Sequence, residues 1–319
     1  MAGMSGNVPF GAEQGVMAVV LTFDAPDAVR QCLASIRAQS VGVDSILVVD
    51  NASAPPFDPS DADHLVQVLR LPENLGPAGG YAAGLRAFLG SGLDWVWLVD
   101  DDSTPRADAL AKQLRVAASR AQPTALLATL VDRDTGAEFR TYGWCGVLVP
   151  RVIVEAVGTP IEDLFWWAED TEYLQWRIPE SGFALEWCGD AVVEVSLRRA
   201  ERTKPAWKFY YEARNQVYFR LRVQRQADDG PPRRHLTRRV RSWRAARAVA
   251  KLGGRAVLRE PDGRARKLLM VARGTVDGLR GRLGRTVAVD RADRPLTPAA
   301  GAGSAGRVEA QEPLDLDEA

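Results

Sequence analysis

Val16-Met-Ala-Val-Val-Leu-Thr-Phe23 is a continuous apolar run, the pattern of a strand buried on both faces of a parallel sheet. Pro26 then opens a helix with Val29, Cys32, Leu33 and Ile36 at helical spacing. Ser45 to Val49 predicts a second buried strand ending in Asp50-Asn51-Ala52-Ser53, and His64 to Leu71 a third. A glycine-rich loop, Gly76-Pro-Ala-Gly79-Gly80, leads into a helix from about Tyr81 to Leu89. Trp95 to Val99 is the next buried strand, and it ends abruptly in Asp100-Asp101-Asp102. Ser103 or Thr104 is expected to cap a following helix with Pro105 in its first turn.

Further on, the pattern predicts a helix near Ala107–Ser119, a strand near Ala125–Val131, a turn over Asp132–Gly136 and a strand over Tyr142–Val149. A helix starting near Glu169 would put Asp170, Tyr173, Leu174 and Arg177 on one face. Short strands over Phe183–Trp187 and Ala191–Val195 precede an aromatic-rich helix, Trp207 to Arg220. Strand and helix alternate, so the fold class is α/β, a doubly wound and mostly parallel sheet with flanking helices.

Ligands collect at the carboxyl ends of strands in such a sheet. Here those ends carry Thr22, Asp50, Asn51 and the three consecutive aspartates. Adjacent carboxylates repel one another, and hard divalent cations such as Mg²⁺ or Mn²⁺ relieve that repulsion, commonly with substrate phosphate as co-ligand. On its own the triplet is equally readable as a solvated acidic turn. Glycines before a helix let backbone N–H groups approach a phosphate. This loop, however, fits neither GxGxxG nor GxxxxGK[ST], which removes the main support for a dinucleotide dehydrogenase or a P-loop kinase. Asp170, in a first helical turn, is favoured as an anion by the helix dipole and suits a base that takes a proton from a hydroxyl. Trp166 and Trp167 before it offer flat apolar surface to a sugar ring, or simply core.

Composition narrows the class. The 319 residues are 46% hydrophobic and 26% charged with zero formal net charge, as in a globular protein of one large domain or two. Three dispersed cysteines and two histidines argue against a zinc site, a disulfide framework and Ser-His-Asp catalysis. Residues 1–15 have neither a basic start nor a long apolar run, and no later run approaches bilayer length, so a cytoplasmic location is expected. The charges are unevenly placed. Between Pro231 and Arg285 stand seventeen Lys or Arg residues against Glu260, Asp262 and Asp277. With Leu, Val and Trp interleaved, this predicts a basic helical extension suited to an anionic membrane surface, the rivals being a solvated face and nucleic-acid binding. The expected organisation is an N-terminal arm over 1–15, the α/β domain over 16–225, the extension over 226–296 and a disordered tail over 297–319.

Taken in order, several stretches resemble the inverting glycosyltransferases of family 2, which share the GT-A fold. They are Val19-Val-Leu-Thr22, Val48-Val-Asp50-Asn51-Ala-Ser53, Asn74-Leu-Gly76-Pro-Ala-Gly79-Gly80, Trp97-Leu-Val-Asp100-Asp101-Asp102, Glu169-Asp170-Thr-Glu172-Tyr173 and Tyr211-Glu-Ala-Arg214-Asn215. The loop and acidic triplet look most like the actinobacterial galactofuranosyltransferases of cell-wall galactan and related rhamnosyltransferases. The resemblance implies that Thr22, Asp50 and Asn51 hold the nucleoside of a UDP- or dTDP-sugar, with Gly76, Gly79 and Gly80 close to the donor. It implies that Asp100 and Asp102 bind Mn²⁺ or Mg²⁺, that Asp101 turns towards ribose or sugar, and that Asp170 is the general base. Trp166, Trp167, Glu169 and Tyr173 would lie on the acceptor side. Many relatives carry a metal-ligating histidine after the base helix. Here Val192-Val-Glu194-Val-Ser196 has none, leaving Glu194 as its replacement or the site without a third protein ligand.

The expected function is metal-dependent transfer of one sugar, galactofuranose or rhamnose favoured, from a nucleotide diphosphate donor to a hydroxyl of a lipid-linked or cell-envelope glycan. The protein would sit in the cytoplasm, peripherally on the inner face of the membrane, without a nucleic-acid partner. Two rivals remain: a sugar-phosphate nucleotidyltransferase, which would want a basic loop where Val16 to Pro26 has no Lys or Arg, and a catalytically degenerate nucleotide-sugar-binding protein.

Overall fold

The computed structural model describes residues 15–59, 64–196, 204–224 and 237–289. The expected N-terminal arm, apart from Gly15, the tail from 297, and His235 lie outside the described residues. The strands are β1 (Val16–Thr22), β2 (Ser45–Asp50), β3 (Val66–Arg70), β4 (Trp95–Asp100), β5 (Ser103–Pro105), β6 (Thr124–Asp132), β7 (Glu138–Phe139), β8 (Val147–Pro150) and β9 (Ala184–Val195). They form one nine-stranded sheet in the order β3-β2-β1-β4-β8-β6-β9-β5, with β7 beside β6. The pairs β1–β2, β2–β3, β1–β4 and β6–β9 are parallel. Antiparallel pairing enters at β4–β8, β6–β8, β6–β7 and β5–β9.

The helices are α1 (Pro26–Arg37), α2 (Gly76–Ser91), α3 (Ala109–Ala118), α4 (Arg151–Val157), α5 (Ile178–Glu180), α6 (Ala206–Tyr218), α7 (Arg238–Leu258) and α8 (Arg264–Arg280). None of the described helices is long and apolar enough to cross a membrane. All seven residues of β1 are buried, as a strand covered on both faces must be. Around it Val29, Cys32, Leu33 and Ile36 of α1 pack with Ile46, Val48, Trp97 and Leu110 in one core.

Four local expectations change. Ser103–Pro105 does not open a helix but pairs with Val193–Val195 as an edge strand, and α3 begins only after Asp108. The proline is tolerated because an edge strand can spare a donor. Gly76–Gly80 is not a loop before a helix; it is the first turn of α2. The two strands expected over 183–195 are one strand, β9, with an irregularity opposite Ala128 and Thr129 where the register shifts. Tyr142–Cys145 is loop, and β8 starts at Val147. Gly146, at φ +78°, makes the turn between them, with the site of a Cβ only 2.7 Å from Val193.

The chain divides into two compact units. Among the described residues the first comprises those up to 74, 80–159 and 177–196, and holds the whole sheet; the second comprises 75–79, 160–176, 204–224 and 237–289. Within the second, α6 packs with α7 and α8, burying Phe209, Ala213, Leu252, Ala256 and Val271 together. Gly274 and Gly278 let α8 approach α6 closely: a Cβ at Gly274 would lie 2.2 Å from the Tyr210 carbonyl oxygen, and one at Gly278 2.5 Å from that of Arg214. A basic extension expected to begin near 226 is thus joined in packing by α6 and by the segment 160–176.

Candidate active site

In the first unit the parallel strands end level with one another. Thr22 lies beside Asp50, and Leu21 beside Asp100, so three strand ends bring their last side chains to one edge of the sheet. The Thr22 hydroxyl donates to Asp101 Oδ2 at 2.7 Å. Asp100 is held by two donors, the Tyr81 hydroxyl on Oδ1 at 2.6 Å and the Cys145 thiol on Oδ2 at 3.3 Å. Burial first, and then the charge of Asp102, push the Asp100 carboxyl above the usual range, while Tyr81 and Cys145 pull it back. Asp101 is pushed up to about 7 by the same two causes, opposed by Thr22. The crowding expected of three adjacent carboxylates is therefore present, and burial adds to it.

Asp50 is fully buried. Its Oδ1 accepts from Ser53 N at 2.8 Å and its Oδ2 from Phe57 N at 3.1 Å, and the Arg70 guanidinium closes on Oδ2. Burial alone would raise its pKa; the Ser53 and Phe57 donors and Arg70 together hold it below the ordinary value. Both oxygens take donors from the protein, so Asp50 shapes the turn over 50–57. Asn51, also buried, donates through Nδ2 to Asn74 Oδ1 at 3.2 Å.

The glycines have packing reasons of their own. A Cβ at Gly80 would stand 2.3 Å from Leu21 Cδ1, and one at Gly79 2.5 Å from Leu75 Cβ. Gly76, at φ +69°, occupies a conformation costly for any other residue, and a Cβ there would meet the Phe165 carbonyl oxygen at 1.9 Å.

In the second unit the base candidate follows an unusual backbone. Phe165, Trp167 and Ala168 all have positive φ, at 62°, 75° and 71°. The helix begins at Glu169, but over Thr171–Arg177 it is a π-helix. The wider turn breaks the i, i+3, i+4 spacing, so the single face expected for Asp170, Tyr173, Leu174 and Arg177 does not follow. Asp170 Oδ1 accepts from the Thr171 hydroxyl at 3.1 Å and from its N–H. Trp167 is packed with Ala168, Trp176, Phe219 and Val223 and is core, not an open platform. Trp166 is half-buried, edge-on to Trp207 at 5.2 Å, and Tyr173 and Glu169 are buried.

The strained segment is tied down by residues given no role in the sequence analysis. Asn215 Nδ2 donates to the carbonyls of Leu164, Trp166 and Trp167 at 3.0, 2.9 and 2.7 Å. Fully buried Arg214 donates to those of Asp163 and Leu164 at 3.2 and 2.7 Å. The Arg-Asn pair was visible as a motif; what it holds was not. Tyr81 and Cys145 carried no local signal at all.

Asp100 and Asp102 suit a hard divalent cation: both offer carboxylate oxygen, and each raises the cost of the other's charge. Among the described residues no group of three or more His, Cys, Asp or Glu stands ready to hold a metal unaided. Glu194 does not complete such a group; its Oε1 is paired with Arg106 Nε at 3.0 Å. The donor set therefore fits an ion shared with substrate phosphate.

Comparison with known proteins agrees with this architecture. The model of the family described as glycosyl transferase family 2 matches residues 17–149. The chain is 39% identical over 93 residues to the galactofuranosyltransferase GlfT1 of Mycobacterium tuberculosis, covering 28% of this chain and 31% of that protein. It is 36% identical over 92 residues to the GlfT1 of Mycolicibacterium smegmatis, covering 28% and 30%. The matched stretch thus spans less than a third of these relatives. Among solved structures, a mannosyltransferase from Pyrobaculum calidifontis in complex with GDP-Man and Mn²⁺ superposes with a TM-score of 0.53 at 16% identity. That alignment covers 84% of this chain and 87% of the other, a likeness of fold. Residues 17–149 thus match the glycosyl transferase family 2 model, and the fold is like that of GT-A glycosyltransferases.

Proposed function

We propose that this chain is a metal-dependent inverting glycosyltransferase. It moves galactofuranose or rhamnose from a UDP- or dTDP-sugar to a hydroxyl of a lipid-linked or cell-envelope glycan. The observation that carries the reading is the convergence of Thr22, Asp50 and the aspartate triplet at level parallel strand ends. The partial identity to galactofuranosyltransferases favours UDP-galactofuranose among the donors.

In this reading Asn51 and the turn ordered by Asp50 receive the nucleoside, and Asp101, oriented by Thr22, faces ribose or sugar. Asp100 and Asp102 hold Mn²⁺ or Mg²⁺, which when bound supplies Lewis-acid stabilisation of the departing diphosphate. Asp170 accepts the proton of the acceptor hydroxyl as that oxygen attacks the anomeric carbon, a contribution of about 10²–10⁴-fold. A single displacement on the face opposite the leaving group inverts the centre. Trp166 and Glu169 lie near Asp170 in sequence and belong to the acceptor side. A lipid-linked acceptor places the protein peripherally on the inner face of the membrane.

The test is nucleotide release across UDP- and dTDP-sugars with Mn²⁺ or Mg²⁺ and a membrane lipid extract as acceptor, wild type beside Asp102→Asn and Asp170→Asn. One donor should stand out, with turnover lost in both variants and donor binding kept in Asp170→Asn. Donor binding without turnover in the wild type would make this a nucleotide-sugar-binding protein instead.

A further inference from the structure

The outward sides of α7 and α8 carry large apolar side chains in a regular arrangement. Along α8, Leu268, Leu269, Ala272, Val276 and Leu279 recur at the three- and four-residue spacing of one helix face. All five are exposed, Leu269 at 63% and Leu279 at 52%. The opposite side of the same helix, with Lys267, Val271, Gly274 and Gly278, is buried. α7 repeats the design: Arg241, Ala245, Leu252 and Ala256 are buried, while Val240, Trp243, Ala250 and Val257 on the opposite side are exposed, Trp243 at 59%. A Cβ at Gly253 would lie 3.9 Å from Leu268 Cδ2, so the two helices meet next to this surface.

Cations border the apolar stripes. Arg239, Arg247 and Lys251 are exposed on α7, and Arg266, Arg273 and Arg280 on α8, the last three one heptad apart along a single flank. No acid occurs in α7, and the one acid of α8, Asp277, is buried and accepts from the Tyr210 hydroxyl at 2.7 Å. An outward apolar face with a cationic border matches a helix lying in the plane of a lipid interface. Long Arg and Lys side chains keep their charge in the headgroup layer while their stems cover apolar surface.

We propose that the exposed faces of α7 and α8 dock on an anionic lipid bilayer, with Trp243, Leu269 and Leu279 entering the headgroup–acyl boundary. A second copy of the chain is disfavoured as occupant because two surfaces of like charge would meet. Nucleic acid is disfavoured because leucine, valine and tryptophan gain nothing against phosphates, while the bilayer uses both the charge and the apolar stripe. The inference rests on this surface and not on sugar transfer, since vesicle binding is measured without donor or metal.

The full chain would be floated with vesicles of phosphatidylcholine containing roughly 30% phosphatidylglycerol, and with phosphatidylcholine alone. Two variants accompany it: Trp243→Glu with Leu269→Glu and Leu279→Glu, and Arg266→Gln with Arg273→Gln and Arg280→Gln. All six sites are exposed, so both variants should fold, as thermal melts and circular dichroism will report. Binding to anionic vesicles is expected in the wild type, weaker by about tenfold or more in each variant, and absent on neutral vesicles. No wild-type binding, or full binding by the apolar variant, would overturn the proposal. So would a change in solution mass in the apolar variant with vesicle binding untouched, which would assign the face to a second copy.

Discussion

The Tyr81 hydroxyl, buried in α2, donates to Asp100 Oδ1 at 2.6 Å. Its ring is stacked on Trp144 at 4.6 Å between centroids, so the hydroxyl has little freedom to turn away. Burial, followed by the charge of Asp100, raises the Tyr81 pKa well above its ordinary value, so the group remains a donor at every working pH. With the Cys145 thiol on the other oxygen, Asp100 is fixed in orientation before any substrate arrives.

Tyr81→Phe should therefore weaken Mn²⁺ binding in the presence of UDP by about tenfold, the scale of one hydrogen bond to a charged group. Folding should change little, because the ring and its packing remain. Mn²⁺ titration followed by electron paramagnetic resonance reads the affinity directly, apart from turnover. Equal affinity in the two proteins would show that Tyr81 is only core.

The triplet also sets a pH dependence. Asp101 is held up to about 7 and Asp100 is raised as well, against about 4 for an aspartate in an unfolded chain. The folded state then keeps protons that the unfolded state has released, so stability falls as pH rises from about 4 to about 7 and levels off above. If the triplet holds a cation with nucleotide as proposed, that binding needs the ionised carboxylates, so its stabilising effect should grow over the same interval. Melting curves at pH 5.5 and 8, with and without Mn²⁺ and UDP, should show the ligand-free protein lower by on the order of a few degrees at pH 8. The ligand-induced rise should be larger there. A rise independent of pH would count against a metal role for these carboxylates.

Much of this arrangement is legible in the sequence because its signals are local. β1, β2 and β4 are apolar runs of the right length, buried on both faces, and their carboxyl ends can be read directly as Thr22, Asp50 and Asp100. What escaped depends on distant partners. Ser103–Pro105 has the composition of a helix cap, but pairing with β9, some ninety residues later, outweighs it. Cys145 reaches Asp100 across 45 positions, and nothing in its own surroundings in the chain announces the contact. The π-helix after Asp170 has no pattern to give it away, since periodicity arguments assume the ordinary turn.

Asn215 offers a test of how the segment before the proposed base, Asp170, is held. Three carbonyls of the segment 164–167 depend on its amide, in a stretch whose positive φ values cost about 1–3 kcal/mol each. Asn215→Ala should destabilise the protein by about 2–3 kcal/mol. It should lower turnover while leaving affinity for UDP and Mn²⁺ within about twofold, because the donor-side contacts belong to other residues. Asn215→Asp, which turns a donor into a charged acceptor facing carbonyl oxygens, should be worse than alanine. Turnover falling only in step with the folded fraction would reduce Asn215 to a purely structural residue.

Two glycines of α2 separate conformational need from helix propensity. Gly90 is exposed with nothing within 4 Å of an added Cβ, so Gly90→Ala should stabilise by about 0.5–1 kcal/mol through the lower entropy of the unfolded chain. Gly76 sits at φ +69°, and a Cβ there would be 1.9 Å from the Phe165 carbonyl oxygen, which is backbone and has little freedom to yield. Gly76→Ala should cost about 3–5 kcal/mol, from the strained backbone and the clash together. Because Phe165 begins the strained segment, the damage should reach turnover as well as the melting temperature. If Gly76→Ala melted like the wild type, the first turn of α2 would have to differ from the geometry described. The close approach to Phe165 would then not be what selects glycine.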